Sequence, residues 1–184
     1  MAGVSSAGSL HGLLEITEIL LLLILGTAIA SDLRWRTIPN WLTGPSILAG
    51  LGVHTVMNQF AGFVFSLEGA AVGLGLFVVL YVCGWMGAGD VKLFAAVGSF
   101  LGPAQTISAA IVIALVGGLL AFLVLGFHQG WRKTGLWLWS YVQVMVLTRS
   151  AKGLTLEQGT VPKVPYAVAI GLGTIGAYWW NPLG

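Results

Sequence analysis

The chain has 184 residues, of which 57% are hydrophobic and only 8% charged, against about 25% charged in ordinary soluble domains. With Lys and Arg totalling 8 and Asp and Glu 6, no water-facing shell of normal charge density can be built, so lipid is the expected solvent. A net charge of +2 gives no basic field for nucleic acid, the low polar content excludes disorder, and the single cysteine, Cys83, excludes a disulfide framework or a multi-cysteine zinc site.

A helix crossing lipid needs roughly 20 apolar residues, because the hydrocarbon layer is about 30 Å thick and the helix rises about 1.5 Å per residue. The first predicted span covers 13–31, with Glu15 and Glu18 near its start, an unbroken apolar stretch from Ile19, and Asp32 directly after it. Ala28-Ile29-Ala30 imitates a signal cleavage site, but the segment before the apolar run is acidic where a signal peptide is basic. The second span fits 41–57 and the third 69–85. Residues 93–131 then carry no Asp, Glu, Lys or Arg, and one straight helix of that length would reach about 58 Å, nearly twice the hydrocarbon thickness. Gly102-Pro103 is the natural break, since proline restricts the residue before it and starts helices better than it continues them. The expected pieces are a short helix over 91–101 and a long one over 104–127. The short piece covers only about 16 Å, so it crosses fully only if flanking residues extend it or the bilayer thins. A last span fits 164–180.

Positive charge sets the orientation, because short cytoplasmic loops carry the excess of Lys and Arg. With the N-terminus outside, Arg34, Arg36, Lys92, Arg132, Lys133, Arg149, Lys152 and Lys163 all fall inside. The predicted fold is therefore an all-α polytopic membrane helix bundle of about six transmembrane helices with an outside N-terminus. It forms one integral-membrane domain over 1–184, with a short extracytoplasmic tail at 1–12 and a cytoplasmic or interfacial loop at 128–163. In that loop Trp131, Trp137, Trp139 and Tyr141 suit a belt at headgroup depth. A rival arrangement takes 91–127 as one kinked crossing and 136–147 as a span, and strands Arg132 and Lys133 outside. Three small-residue pairs, Gly69 with Gly73, Gly98 with Gly102 and Gly126 with Gly130, have the spacing of close helix contacts in lipid.

Asp32 and Asp90 are the only aspartates, and both fall at span ends on the cytoplasmic side. A carboxylate at membrane depth costs about 2.5–3.5 kcal/mol on insertion scales, so it usually faces a watery cavity or a partner and marks a candidate site. Singly, Asp90 reads as a helix N-cap after Gly87-Ala88-Gly89 and Asp32 as an interfacial loop residue. Together, two carboxylates around one water can share a proton, one polarising a peptide carbonyl while the other activates the water. Gly87 and Gly89 leave room for a substrate strand to approach closely. A phosphate loop is the competing meaning of Gly-x-Gly, but no Gly-Lys-Ser/Thr follows.

Gly87-Ala88-Gly89-Asp90-Val91-Lys92-Leu93 resembles the GxGD motif of type IV prepilin peptidases, which are membrane aspartic proteases. Asp32-Leu33-Arg34-Trp35-Arg36-Thr37-Ile38-Pro39-Asn40, continuing through Leu42-Thr43 and Pro45, resembles the segment carrying that family's other catalytic aspartate. Val164-Pro165-Tyr166-Ala167 is a weaker third match. The resemblance runs through essentially the whole chain. It implies Asp32 and Asp90 as catalytic residues, Gly87, Gly89 and Lys92 in substrate-binding or supporting roles, no cofactor and no metal. The implied substrate is a prepilin or pseudopilin, whose positively charged leader is cut at the cytoplasmic face of the bacterial inner membrane. With one cysteine and twelve residues before the first span, the chain looks like the short, peptidase-only members associated with tight-adherence pili.

Lys92 near a span end usually snorkels to the interface. His11, His54 and His128 show no metal-binding spacing and HExxH is absent, which disfavours a metalloprotease. Ser99 lacks a persuasive nucleophile motif and reads as packing. Glu68 and Glu157 read as solvated loop charges on opposite sides. The alternatives are an archaeal-type preflagellin peptidase with the same chemistry, an ion or proton carrier using both aspartates, and a membrane scaffold subunit.

Overall fold

The computed structural model describes residues 3–82, 86–130, 135, 139 and 166–179. Helix α1 runs Gly3–Trp35, α2 Asn40–Val82, α3 Ala88–Gln129 and α4 Tyr166–Trp179, and no strand occurs among the described residues. Three of these helices are long and apolar enough to cross a membrane. Their outward faces carry Leu23 at 61% exposure, Leu48 at 69% and Phe60 at 78%, a surface that water tolerates poorly and lipid does not penalise. The all-helical architecture expected of a membrane protein is therefore present. The expected loop over 128–163, its aromatic belt except Trp139, and the rival span at 136–147 lie otherwise almost wholly outside the described residues.

Helix limits depart from span limits because hydropathy marks contact with lipid, whereas backbone hydrogen bonding continues until something stops it. Helix α1 accordingly begins at Gly3, ahead of the predicted 13–31. Glu68, expected in a loop, sits exposed on α2, where its carboxylate reaches outward without interrupting the helix.

Two interruptions divide the long helices. In α2 the backbone leaves helical angles at Asn58 (φ −130°) and Gln59 (φ 51°). The chain folds back there: the ring of His54 lies 5.1 Å from that of Phe65, and a Cβ at Gly62 would collide with the His54 carbonyl. In α3 the interruption is Gly102, at φ 74° and ψ 175°, directly before Pro103, as the dipeptide predicts. Unbroken helix would place Ile113 about 34 Å along the axis from Asp90. Instead Ile113 lies directly against Gly173, about 9 Å along α4 from its second residue, Ala167, which hydrogen-bonds Asp32. The beginning of the second arm of α3, as far as Ile113, therefore doubles back along the first.

The first arm of α3 is the centre of the packing. Residues 93–102 are all buried, where an ordinary amphipathic helix would bury one face. It is enclosed by both arms of α2. Gly50 presses on Ser99, Gly69 on Gly98 and Gly102, and Gly73 on Phe94, so helix backbones touch through the small residues the spacing singled out. Phe77 stacks on Phe94 with ring centroids 4.0 Å apart. The buried hydroxyl of Ser66 donates to the Ser99 carbonyl at 2.7 Å, and His54 Nε2 donates to the Phe100 carbonyl at 2.9 Å. Every buried side-chain polar atom among the described residues has a partner.

The chain separates into two compact units, Met1–Ala114 with Pro165–Gly184, and Leu115–Val164. In the second, α3 is closed by Gly130, the residue after its end, whose φ of 88° and N–H bond to the Gly126 carbonyl at 3.0 Å form a left-handed helix cap. The third small-residue pair thus terminates a helix.

Candidate active site

Four helix ends converge at one side of the first unit: the end of α1, the starts of α2 and α3, and the start of α4. The Asp32 segment is built by the exit from α1. Arg36 takes a left-handed φ of 54° and its N–H donates to the Asp32 carbonyl at 2.9 Å, closing the helix. The Ser31 hydroxyl donates to the Thr37 carbonyl at 2.8 Å. Pro39 then serves as the acceptor for the first turn of α2, taking N–H bonds from Leu42 at 3.1 Å and Thr43 at 3.4 Å.

Asp32 is 8% exposed, so it is a buried helix residue and not the interfacial loop residue of its single reading. It lies near the C-terminus of its own helix, where the helix dipole disfavours an anion. The compensation comes from elsewhere. Asp32 Oδ2 accepts the backbone N–H of Ala167 at 3.2 Å, one of the donors that the first turn of α4 leaves without an intrahelical partner.

Asp90 is not an N-cap but the third residue of α3. Gly87 holds the cap position, and its carbonyl accepts the N–H groups of Asp90 at 3.2 Å and Val91 at 3.4 Å. Asp90 Oδ2 reaches back to accept the Gly87 N–H at 3.1 Å, the reach-back half of a capping box. Each carboxylate thus faces the positive end of a helix. The two are close enough that the charge on Asp32 acts on Asp90, and the Asp90 charge in turn acts on Tyr166.

The glycines have separate reasons. A Cβ on Gly87 would stand 3.1 Å from Asp90 Oδ2, crowding the carboxylate, whereas one on Gly89 would stand 3.1 Å from Ile38 Cβ and 3.3 Å from the Ile38 carbonyl. Gly89 therefore lets the Asp90 turn lie directly on the Ile38 segment. Lys92 is exposed and does not simply snorkel: its Nζ donates to Asn40 Oδ1 at 2.9 Å.

Among the described residues no group of His, Cys, Asp and Glu could hold a metal ion. Ser99 is fully buried, with its hydroxyl donating to the Ala96 carbonyl at 2.7 Å; it is a packing residue. Two contributors had no individual signal in the sequence. The Ala167 N–H is a backbone group, visible only through the weak third motif, and Ile38 matters through its backbone. Asn40 lay within a motif, yet nothing in its residue type announced a partner 52 positions away.

Comparison with known families decides the kinship of this arrangement. The profile of the type IV leader peptidase family matches residues 19–125, more than half of the chain and both aspartate segments. The chain belongs to this family. No curated protein and no solved structure matches it. Membership makes the protein a peptidase, hence a hydrolase. The matched region ends before α4, so the helix start that holds Asp32 lies outside the family match.

Proposed function

We propose that this peptidase is a membrane aspartic endopeptidase that cuts the leader from type IV prepilin-like proteins at the cytoplasmic face, with Asp32 and Asp90 as its catalytic pair. The observation that supports the reading is the convergence of the helix ends that bear the two aspartates, each with an oxygen aimed at a helix N-terminus and near enough for the charge of one to act on the other. Two like charges at close range favour a state in which the pair keeps one proton. In that state the ionised carboxylate removes a proton from water as the water oxygen attacks the scissile carbonyl. The protonated partner donates to the carbonyl oxygen, giving a neutral tetrahedral diol. Collapse of the diol returns a proton from one hydroxyl to the pair and passes another to the leaving nitrogen, which regenerates the starting state.

The orientation follows from charge. Arg34, Arg36 and Lys92 lie in the same segments as the aspartates, and basic residues collect on the cytoplasmic side. On this reading the helical segments alternate direction in a six-crossing topology with the N-terminus outside. A prepilin whose apolar helix lies in the bilayer presents its leader junction at the depth of Asp32 and Asp90. On this reading the peptidase is a multi-pass protein of the bacterial inner membrane.

Co-expression with a candidate prepilin, read by mass spectrometry, tests the proposal. Asp32→Asn and Asp90→Asn should each insert and fold while accumulating full-length precursor. Complete leader removal by either variant would overturn the assignment.

A further inference from the structure

The relative placement of the two carboxylates is fixed by no direct link between them. Asp32 is carried by the end of α1 and Asp90 by the start of α3, and these elements meet where segment 38–40 lies on segment 89–92. Two contacts hold that meeting. Gly89 packs within a few tenths of an ångström of the closest approach any side chain could tolerate against Ile38. Lys92, two residues past Asp90, donates from Nζ to Oδ1 of Asn40 at 2.9 Å, between residues 52 positions apart. The bond is exposed, and exposed polar contacts contribute little to stability. Holding a lysine side chain in one geometry also costs rotamer entropy. Stability therefore does not explain it, whereas its position does: it spans the seam across which the carboxylates must be aligned.

We propose that Lys92 and Asn40 form a clasp that sets the separation of Asp32 and Asp90, acting as positioning residues for the pair. This rests on the reading of those aspartates as catalytic. The lysine amine is directed to a neutral amide, so its role is geometric and does not depend on neutralising a carboxylate. An error of an ångström in such a pair can cost up to about a hundredfold in rate.

The test uses the full-length protein in lipid vesicles with a purified prepilin. Lys92→Met and Asn40→Leu should each lower kcat by about tenfold or more while leaving KM within about twofold, the pattern of a defect expressed in the transition state. The double variant should be no slower than the worse single variant, because both remove one shared interaction. Lys92→Arg, whose guanidinium can donate to the same amide oxygen, should recover most of the lost kcat. Ser66→Ala is the stability control: it removes the buried bond to Ser99 and should lower the thermal midpoint without the kcat defect. If Lys92→Met does not fold, Asn40→Ala supplies the same comparison. Multiplicative losses in the double variant, a defect confined to KM, failure of Lys92→Arg to recover rate, or a kcat loss matched by Ser66→Ala would each overturn the clasp. Asp32→Asn and Asp90→Asn run alongside separate the two ideas. Cleavage by either would remove the catalytic pair itself, whereas inactive aspartate variants beside fully active clasp variants would remove only the clasp.

Discussion

Substituting Gly69 by alanine tests whether the inner arm of α3 is held by backbone contact, and whether that contact reaches the aspartates. A Cβ built on Gly69 overlaps the Gly98 carbonyl and stands 2.7 Å from Gly102 Cα and 2.9 Å from its carbonyl carbon. All of these are backbone atoms of an enclosed helix and cannot rotate away. Ordinary carbon contacts lie at about 3.5–4.0 Å, so the two helices must part by about 1 Å. Overpacking of this kind costs about 1–3 kcal/mol. A gap of about 0.5–1 Å also forfeits a quarter to a half of each dispersion well along the seam, including the stacked Phe77–Phe94 pair. Gly98 and Asp90 are about 12 Å apart along one helix, a length that moves as a rod. The displacement should therefore carry Asp90 away from Asp32.

The assay compares Gly69→Ala with Gly75→Ala in vesicles. A Cβ at Gly75 meets nothing, so that substitution changes the same helix without touching the seam. Gly69→Ala should lower the thermal midpoint by several degrees, at about 2–4 °C per kcal/mol for a chain of this size, and should cut prepilin about tenfold or more slowly. Gly75→Ala should match the parent in both. If Gly69→Ala keeps the parental midpoint, the backbone contact is wrong. A lowered midpoint with an unchanged cleavage rate would instead refute transmission along α3.

Three further outcomes follow from local geometry. Gly102→Ala meets the Phe65 ring and forces a side chain into φ 74°; strained backbone of this kind costs about 1–3 kcal/mol even without the clash. The variant should fail to accumulate in membranes, and adding Phe65→Ala should restore it only in part; full restoration would show that φ carries no cost. Gln59→Gly relieves a non-glycine φ of 51° at the far turn of α2 and should raise stability by about 1 kcal/mol with cleavage unchanged, measured by thermal shift; a lowered midpoint would count against the turn as described. Asp32→Asn keeps an acceptor for the Ala167 N–H and removes one of two neighbouring negative charges, so its thermal midpoint at pH 8 should rise as cleavage disappears. A fall in midpoint would mean that the charge itself holds α4.

The parts of the fold legible in the sequence were those with a covalent cause. Gly102-Pro103 breaks α3 because proline lacks a donor and glycine reaches φ 74°, and both properties belong to the residues wherever they stand. The pairs at Gly69 and Gly98 were legible because only small side chains let backbones touch. The turn at Asn58-Gln59 was legible on one side only: the predicted second span ends at 57, directly before it, whereas the third was expected from 69 because the charge at Glu68 misled the boundary, although the apolar run resumes at once with Phe60. In the same way the aspartates were visible and their setting was not. Residue type marks Asp32 and Asp90 as unusual in an apolar chain, whereas the donors they face, Gly87 N–H and Ala167 N–H, are groups every residue but proline carries.

That setting explains how the fold keeps two carboxylates near each other at the edge of lipid. Asp90 lies at the start of its own helix, where the dipole favours negative charge by about 0.3–1 kcal/mol. Asp32 lies at the end of its own helix, where the same effect opposes it, and the N-terminus of α4 offsets it through the Ala167 N–H. The buried position of Asp32 therefore depends on α4 staying docked along α1. Two contacts hold that docking away from the site: Gly171 lies against Ile29, where a Cβ would stand 2.7 Å from Ile29 Cδ1, and the Tyr178 hydroxyl donates to Glu18. A change at either of these would act on Asp32 without touching it, because loss of α4 leaves a buried anion facing the negative end of its own helix.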